Sequence, residues 1–395
     1  MQNEFEEWVQ KLRQRVPIGE VPVIATAAES GPTWPQPQPQ PTAPAIGVDA
    51  DTIMSSMQRA FAEYVENLQN TIITALEKLD PNAPPFFRDR WERPHDGGYG
   101  ISSVFSTPFS TTPAATILEK AGVNISVING TLSPAAVKQM RADHSSLPYD
   151  PDSQEKLPFF VAGLSIVIHP RNPHAPTVHA NYRYFEVIDP ADESKVLAWW
   201  FGGGSDLTPS YLYEDDARHF HATLKAACDA HGAALYPGFK AWCDEYFFIP
   251  HRGEARGIGG IFFDDLCDAP HKRLPDVQPE DRPWRPEQIF AFARSAGDAF
   301  LPSYLPILER RASVPSTDAQ RRWQLLRRGR YVEFNLVHDR GTKFGLMTPG
   351  ARIESILMSL PEVARWEYCS EVGSEADSDE GKLLEVLKKP RAWVV

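Results

Sequence analysis

Apolar and polar side chains alternate along three consecutive runs in the middle of the chain, at 159–169, 177–188 and 195–201. A period of two is typical of β-strands, because successive side chains of a strand point to opposite faces of the sheet. The connections HPRNPHAP (169–176) and DPADES (189–194) are too short to hold a crossover helix. We therefore predict antiparallel pairing of these strands, and this pairing constrains the fold more than any other feature.

Further strands and helices are indicated on both sides of this central region. Alternating runs at 124–128, 258–264 and 331–337 are consistent with additional strands. Helical periodicity is found at Glu214–Ala230 and Pro286–Phe300. The sequence therefore predicts an α+β fold in which a large antiparallel sheet is flanked by helices on both faces.

The N-terminal region differs in composition from the rest of the chain. Six of the 36 prolines lie in PTWPQPQPQPTAP (32–44), a segment that favours extended polyproline conformation over a packed core. Amphipathic helices are predicted at Asn3–Arg15 and from Asp49 to Leu79. We therefore predict an N-terminal extension at 1–48, with a disordered Pro-rich linker, and a single catalytic domain at 49–395.

Charge, cysteine content and hydropathy exclude several classes of protein. The net charge of −12 argues against a nucleic-acid-binding protein. The four cysteines form no CxxC pair, which excludes a zinc ribbon or an iron–sulfur cluster. The longest apolar run, Phe159–Ile168, is about half as long as a membrane-spanning helix. Glu4, Glu6 and Glu7 are untypical of a targeting leader, so we predict a cytoplasmic protein, with the mitochondrial intermembrane space as the alternative.

Polar side chains line one face of the predicted strand at 177–188. His179, Asn181 and Arg183 share that face at steps of about 6.6 Å, whereas Tyr182 points to the other face. A solvent-exposed face and a ligand-binding face are equally compatible with this spacing.

The neighbouring strands carry further candidates for a site. Ser165 and His169 share a face with Gly163, and small residues among large apolar ones are typical of a cavity wall. Asp206 follows the glycines of WWFGGGSDLTP (199–209), where the backbone could approach a ligand closely.

Histidines are concentrated in the same part of the chain, and both metal ligation and proton transfer remain open for them. Seven of the eleven fall within 83 residues, at positions 169, 174, 179, 219, 221, 231 and 251. No GxxxxGK[ST] sequence occurs, so a phosphate-binding loop is not predicted.

Basic residues are concentrated at 321–352, where the local net charge is +6. We interpret the arginines of RRWQLLRRGR (321–330) as a surface helix paired with acidic residues. Arg352, in a turn after MTPGA, is the better candidate for an anion ligand.

Five long strings resemble the oxygen-dependent coproporphyrinogen oxidases of haem biosynthesis over about residues 84–369. They are RWERPHDGGYGISSVF, GLSIVIHPRNPHAPTVHANYRYFEV, WWFGGGSDLTP, HRGEARGIGGIFFDDL and RRGRYVEFNLVHDRGTKFGLMTPGARIESILMSLPEVARWEY. The resemblance implies an oxidoreductase that converts coproporphyrinogen III to protoporphyrinogen IX. Two propionates become vinyl groups, with consumption of dioxygen and release of carbon dioxide and a reduced oxygen species.

The resemblance also implies roles for particular residues. His179 matches the proton donor, and Asp206 matches an aspartate that contacts the pyrrole nitrogens. Substrate-binding positions are matched by Ser165, Asn181, Tyr182, Arg183, Gly350, Ala351 and Arg352. No cofactor is implied beyond dioxygen as co-substrate; a divalent metal ion such as manganese is left open, with His169, His179, His219 and His251 as its ligands.

For the architecture, the resemblance implies a seven-stranded antiparallel sheet and a homodimer that uses Tyr331 to Tyr368 as its interface. Two other functions remain as alternatives from the residues themselves. One is a hydrolase with a metal ion bound by histidines, and the other is a non-catalytic tetrapyrrole-binding scaffold whose Pro-rich segment recruits a partner.

Overall fold

The computed structural model of this chain describes residues 56–93, 97–106, 116–141, 144, 147, 155–347 and 351–394. The predicted N-terminal extension, with its short helix and linker, lies outside these residues. The division of the chain at residue 48 therefore stays a prediction.

A seven-stranded antiparallel sheet, in the spatial order β1-β2-β3-β4-β5-β6-β9, forms the centre of the described chain. A separate pair, β7–β8, precedes the last strand. The strands are β1 (Phe87–Glu92), β2 (Gly98–Ser106), β3 (Leu118–Leu132), β4 (Leu157–Pro170), β5 (Thr177–Asp189), β6 (Asp192–Thr208), β7 (Phe248–Ile249), β8 (Glu254–Ala255) and β9 (Gly260–Leu266). The α+β fold class and the antiparallel pairing of the central strands are confirmed.

Helices surround this sheet in the described residues. They are α1 (Ser56–Leu79), α2 (Pro134–Arg141), α3 (Glu214–Asp229), α4 (Leu235–Tyr246), α5 (Pro286–Asp298), α6 (Phe300–Arg311), α7 (Asp318–Glu333), α8 (Arg340–Met347), α9 (Ile353–Leu357) and α10 (Asp379–Lys388). The helices predicted near 49–79, 214–230 and 286–300 are confirmed where the structure describes them.

One face of the sheet packs against α1, because both elements present a continuous apolar surface. Phe61, Val65 and Ile72 of α1 are fully buried, as are Leu164 and Ile166 of β4. Full burial of an aliphatic or aromatic side chain contributes about 1.5–3 kcal/mol, so this contact stabilises the fold and fixes which face each strand buries.

On the opposite face, elements of the described chain cover the sheet near both of its ends. Ser355 of α9 bonds Ser102 of β2 at 2.8 Å between their hydroxyl oxygens. At the other end, Val137 of α2 packs in an apolar cluster with Phe185 and Trp200. The part of β4 and β5 between these two ends is left half-exposed, and it carries the polar residues considered below.

The strand predicted at 331–337 is wrong. This segment continues α7 and ends in a π-helical turn, Phe334–His338, in which the Asp339 amide donates to the Phe334 carbonyl oxygen at 3.0 Å. Tyr331, Phe334 and Asn335 are buried, at helical spacing. Val332, Phe334 and Leu336 alternate with polar residues in the sequence, but only Phe334 of the three is buried and Leu336 is exposed, because residues two apart lie on different sides of a helix.

The arginines of α7 pair with acidic residues, but two of them are buried, contrary to the predicted surface helix. Arg328 bonds Glu119 at 2.8 Å and Arg327 bonds Glu254 at 2.6 Å. Arg328 is 3% exposed and Arg327 4% exposed. Burial alone raises the pKa of Glu119, but the nearby arginine charges outweigh it and hold that pKa below its ordinary value.

We predict that Glu119→Ala lowers the free energy of unfolding by about 3–5 kcal/mol, because it leaves the buried Arg328 without its counter-charge. Urea unfolding measures the change. Arg218→Ala, which removes an exposed pair with Glu214 on α3, is the control and should leave the unfolding midpoint nearly unchanged. An equally small effect of Glu119→Ala would contradict the prediction.

Candidate active site

The predicted polar face of β5 lies between β4 and β6, and antiparallel register aligns its residues in rows across the three strands. His179 stands opposite Asp206 of β6, and Arg183 stands opposite Gly163 of β4. Asn181, between them, stands opposite Ser165 of β4. The predicted site residues of these strands are thus neighbours on one surface.

This surface is accessible while its surroundings are buried. Along β5, the half-exposed residues His179, Asn181 and Arg183 alternate with buried ones. The side chain of Arg183 is 30% exposed and that of His179 is 24% exposed. A ligand can therefore reach these two side chains from one side of the sheet.

The accessible surface is flat, because small residues predominate in the rows beside Arg183 and Asn181. One row runs through Ser126, Gly163, Arg183 and Gly202, and the next runs through Asn124, Ser165, Asn181 and Gly204. A Cβ atom added at Gly163 would make only ordinary contacts of 3.4 Å or more. Such a surface fits a broad planar ligand better than a compact one.

A buried carboxylate orients the histidine of this surface. The Nδ1 atom of His179 lies 2.8 Å from Oδ1 of Asp206, whose side chain is 2% exposed. Because an ionised carboxylate can only accept, His179 carries its proton on Nδ1, and Nε2 is left for proton transfer on the accessible side. Asp206 thus acts on a ligand through His179.

Arg256 holds the other oxygen of this carboxylate. Its Nη2 donates to Asp206 Oδ2 at 2.8 Å, and its Nη1 donates to Asn335 Oδ1 at 2.7 Å. Its guanidinium also lies over the rings of Phe247 and Tyr331, at 4.1 and 4.4 Å. Burial alone raises the pKa of Asp206, but Arg256 and His179 outweigh it and keep that pKa below its ordinary value.

Direct contact of Asp206 with pyrrole nitrogens, as the resemblance implies, stays a prediction. The side chain of Asp206 is 2% exposed in this structure, and its two oxygens accept hydrogen bonds from His179 and Arg256. Tyr182 points away from the surface: its side chain is fully buried and its hydroxyl donates to the Ala296 carbonyl oxygen at 2.8 Å. Only the backbone of Tyr182 lies between Asn181 and Arg183.

The described part of the turn at 350–352 does not lie near Arg183. Gly350 lies outside the described residues, and Ala351 is half-buried. Arg352 forms an ion pair with Asp89 of β1, four strands from β5. With neighbouring strands about 4.8 Å apart, this is a lateral separation of roughly 19 Å.

The four histidines matched to metal ligands do not form one set, because each is engaged by different groups. His169 is buried, with Nδ1 at 3.1 Å from Thr177 Oγ1 and Nε2 at 2.9 Å from the Ser359 carbonyl oxygen. His219 bonds the Pro302 carbonyl oxygen, and His251 bonds His338 and Glu333. Within the described ranges, no group of three or more His, Cys, Asp or Glu side chains could hold a metal ion.

The glycines of 202–204 serve close packing within the protein more than approach of a ligand, contrary to their sequence interpretation. A Cβ at Gly203 would lie 2.7 Å from the Asn181 carbonyl oxygen, and one at Gly204 would lie 2.5 Å from the Ile261 carbonyl oxygen. At Gly202 it would meet Arg183 and Asp264 instead.

Sequence reasoning missed Arg256, Asp264, Asn124 and Ser126. Asn124 and Ser126 interrupt the apolar run of β3 at alternate positions, a signal that the alternation rule could have used. Arg256 lies just before GIGG in an irregular segment, and its partner is 50 residues away, so spacing could not have identified it.

The fold and this surface define a class: an α+β enzyme built on a seven-stranded antiparallel sheet, with a hydrogen-bonded Asp–His pair and a partly exposed arginine on the same face of that sheet. A family model described as Coproporphyrinogen III oxidase matches residues 60–393. The chain belongs to this family.

Curated relatives agree with the family match. An oxygen-dependent coproporphyrinogen-III oxidase of Drosophila melanogaster is 52% identical over 339 residues, which cover 86% of this chain and 79% of the relative. A human protein of that name is 54% identical over 326 residues, covering 82% of this chain and 65% of the relative. One from Glycine max is 46% identical over 349 residues, covering 88% and 82%.

We predict that Arg256→Leu lowers the free energy of unfolding by about 3–5 kcal/mol near neutral pH, because Asp206 is left buried without its cation. The loss should shrink as pH falls, since the pKa of Asp206 rises in the variant and protonation removes the buried charge. Urea unfolding at about pH 7.5 and about pH 5 measures this. A loss that is independent of pH would assign the effect to lost aromatic packing, and Arg256→Lys serves as the charge-retaining control.

Proposed function

We propose that this chain catalyses the oxygen-dependent oxidative decarboxylation of coproporphyrinogen III to protoporphyrinogen IX. The observation that supports this most directly is the accessible face of β5, which presents Arg183 and the oriented His179 with Asn181 between them, in a chain 52–54% identical to the Drosophila and human oxidases. A porphyrinogen is broad and carries four propionates, so it matches both the shape and the charge of the surface.

Each of the two decarboxylations is a two-electron oxidation with dioxygen as the oxidant. The propionate loses a hydrogen from its β-carbon and its carboxyl group as carbon dioxide, and a carbon–carbon double bond forms. The two electrons and two protons released reduce dioxygen to hydrogen peroxide, so the equation balances without a further cofactor.

Arg183 holds a propionate carboxylate by charge-assisted hydrogen bonds. Its guanidinium lies within the row of small residues, where a propionate at the edge of the macrocycle can approach it. Fixing one propionate in this way determines which side chain of the macrocycle stands over the reactive position, and such orientation lowers the barrier to reaction.

His179 moves a proton at its Nε2 atom. Asp206 fixes the tautomer and stabilises the imidazolium that forms when Nε2 takes a proton from the substrate. Removal of a pyrrole proton makes that ring more electron-rich and more reactive towards dioxygen. In this proposal His179 accepts the proton, whereas the resemblance implies that it donates one, and the role implied for Asp206 is exerted through His179.

The two alternative functions have less support. A hydrolase using histidine-bound metal needs ligands that converge, whereas His169, His219 and His251 bond to separate parts of the described structure. A non-catalytic scaffold has no need of an oriented acid–base pair. The Pro-rich segment on which the scaffold depends lies outside the described residues.

The enzyme is also proposed to act as a homodimer through the surface between Tyr331 and Tyr368. Eight of the ten exposed large hydrophobic residues in the described chain lie in this stretch. Met347 is 78% exposed and Tyr368 is 98% exposed. Exposed apolar residues concentrated in this way are typical of a protein–protein interface.

The cytoplasmic location stays a prediction. No helix in the described part of the chain is long and apolar enough to cross a membrane. The human relative is named as mitochondrial and the soybean relative as chloroplastic, so an organelle is the better-supported proposal.

We predict that protein treated with a chelator converts coproporphyrinogen III to protoporphyrinogen IX in air but not under anaerobic conditions. Chromatography of the oxidised porphyrins and trapping of carbon dioxide measure the reaction. Absence of product in air would contradict the proposed function, and recovery only on adding a divalent metal ion would contradict a metal-free reaction.

His179→Gln should lower kcat by about 10²–10⁴-fold, the usual contribution of a positioned acid or base. Steady-state turnover of coproporphyrinogen III measures the change. His231→Gln is the matched control, because His231 bonds Ser295 of α5 outside the accessible surface. Turnover unchanged in the His179 variant would remove this residue from the mechanism.

Val337→Glu should convert the homodimer to monomer, because it introduces a charge into an apolar interface. Analytical ultracentrifugation measures the mass. Val196→Glu is the control, since Val196 is also exposed but lies on β6 outside the proposed interface. A dimer that persists in the Val337 variant would contradict the proposed surface.

A further inference from the structure

We propose that Asp264 is a positioning residue for substrate recognition: together with Gly202, it fixes the guanidinium of Arg183 so that its remaining N–H groups face the accessible surface. The inference rests on the proposed function, in which Arg183 binds a propionate carboxylate. Neither Asp264 nor Gly202 contacts that carboxylate in this account, and both act through Arg183.

Two acceptors hold the guanidinium from opposite sides. Asp264 Oδ1 lies 2.8 Å from Arg183 Nη2, and Asn181 Oδ1 accepts from Arg183 Nη1 at 2.9 Å. A guanidinium has five N–H groups in a fixed plane, so two anchored nitrogens determine the direction of the others. Three N–H groups remain for a carboxylate of the substrate.

Asp264 is itself held in place. Its Oδ1 accepts from the Asp265 amide at 3.0 Å, and Asp265 adopts a left-handed conformation with φ of 56°. Burial alone raises the pKa of Asp264, but the charges of Arg183 and His144 outweigh it and keep that pKa below its ordinary value. Asp264 therefore presents a fixed negative charge at the surface of β9.

Gly202 creates the space in which this pair forms. A Cβ atom there would lie 2.6 Å from Arg183 Nη2 and 2.6 Å from Asp264 Oδ1. Both distances are shorter than any ordinary contact of a Cβ atom. Any larger residue at 202 would thus act as a wedge between the two charged groups.

The exposure of the pair distinguishes it from a purely structural ion pair. Arg327 and Glu254 form such an enclosed pair, since their side chains are 4% and 8% exposed. Arg183 keeps 30% of its side chain exposed while Asp264 keeps 11%. Asp264 is thus buried, whereas Arg183 remains accessible to a ligand. A binding residue that is held in position by a second residue requires this arrangement.

The experiment is a double-mutant cycle on folded, full-length protein. Asp264→Asn keeps the shape but removes the charge, Gly202→Ala inserts the wedge, and Arg183→Ala removes the recognition group. The readouts are KM and kcat for coproporphyrinogen III, and Kd for the stable analogue coproporphyrin III by fluorescence. Asp268→Asn, at an exposed acid just after β9, is the matched control.

We expect Asp264→Asn and Gly202→Ala each to raise KM and Kd by about tenfold, with a smaller effect on kcat. Neither should have a further effect in the Arg183→Ala background, and Asp268→Asn should behave as the parent. Equal effects with and without Arg183, or lower stability with KM and Kd unchanged, would overturn the inference.

This design distinguishes failure of the proposed function from failure of the inference about Asp264. If the parent protein binds coproporphyrin III but does not turn over coproporphyrinogen III, the proposed function fails while the cycle in Kd still decides the role of Asp264. If Gly202→Ala does not fold, the cycle between Asp264→Asn and Arg183→Ala decides alone.

Discussion

The register between β4, β5 and β6 is the constraint on which the site depends. A slip of one residue in β5 would turn His179, Asn181 and Arg183 to the apolar face and bring Tyr182 to the polar one. The burial of Val178, Ala180 and Tyr182 of β5 in the core prevents such a slip, because the slip would expose these side chains along the whole strand. The contacts that stabilise the sheet therefore also align the residues of the site across β4, β5 and β6.

Hydrogen bonds from residues outside the sheet also position the site. Arg256 joins Asp206 to Asn335 in the π-helical turn that follows α7. A π-helical turn is unusual in proteins and is often found at functional sites. Here Asn335 in the turn accepts from the buried arginine. The proposed dimer surface begins within this same stretch, so the contacts that hold Asp206 and the proposed interface share one segment.

The sequence was sufficient to predict the parts of the fold in which apolar and polar side chains repeat with a local period. Alternation along β4 and β5 identified the polar face, and the short turns identified the antiparallel pairing. Sequence reasoning failed at 331–337, where apolar and polar residues alternate over seven residues although the segment is helical. It also could not identify Arg256 or Asp264, because the importance of each comes from a partner that is distant in the chain. For the same reason the contact of Asp206 with Arg256, which turns a candidate ligand into an orienting group, was visible only in three dimensions.

The charge of the chain illustrates how far counting residues can mislead about a site. The net of +6 at 321–352 pointed to Arg352 as an anion ligand. In the fold, Arg327 and Arg328 are paired with Glu254 and Glu119, which come from β8 and β3 and so were absent from the count. Arg352 is paired with Asp89 of β1, four strands from β5. In the proposed function the cation that binds a carboxylate is instead Arg183, in a segment with no excess of positive charge. Its suitability comes from partial exposure and fixed orientation, since an ion pair with one face still open can bind an anion while a fully enclosed pair cannot.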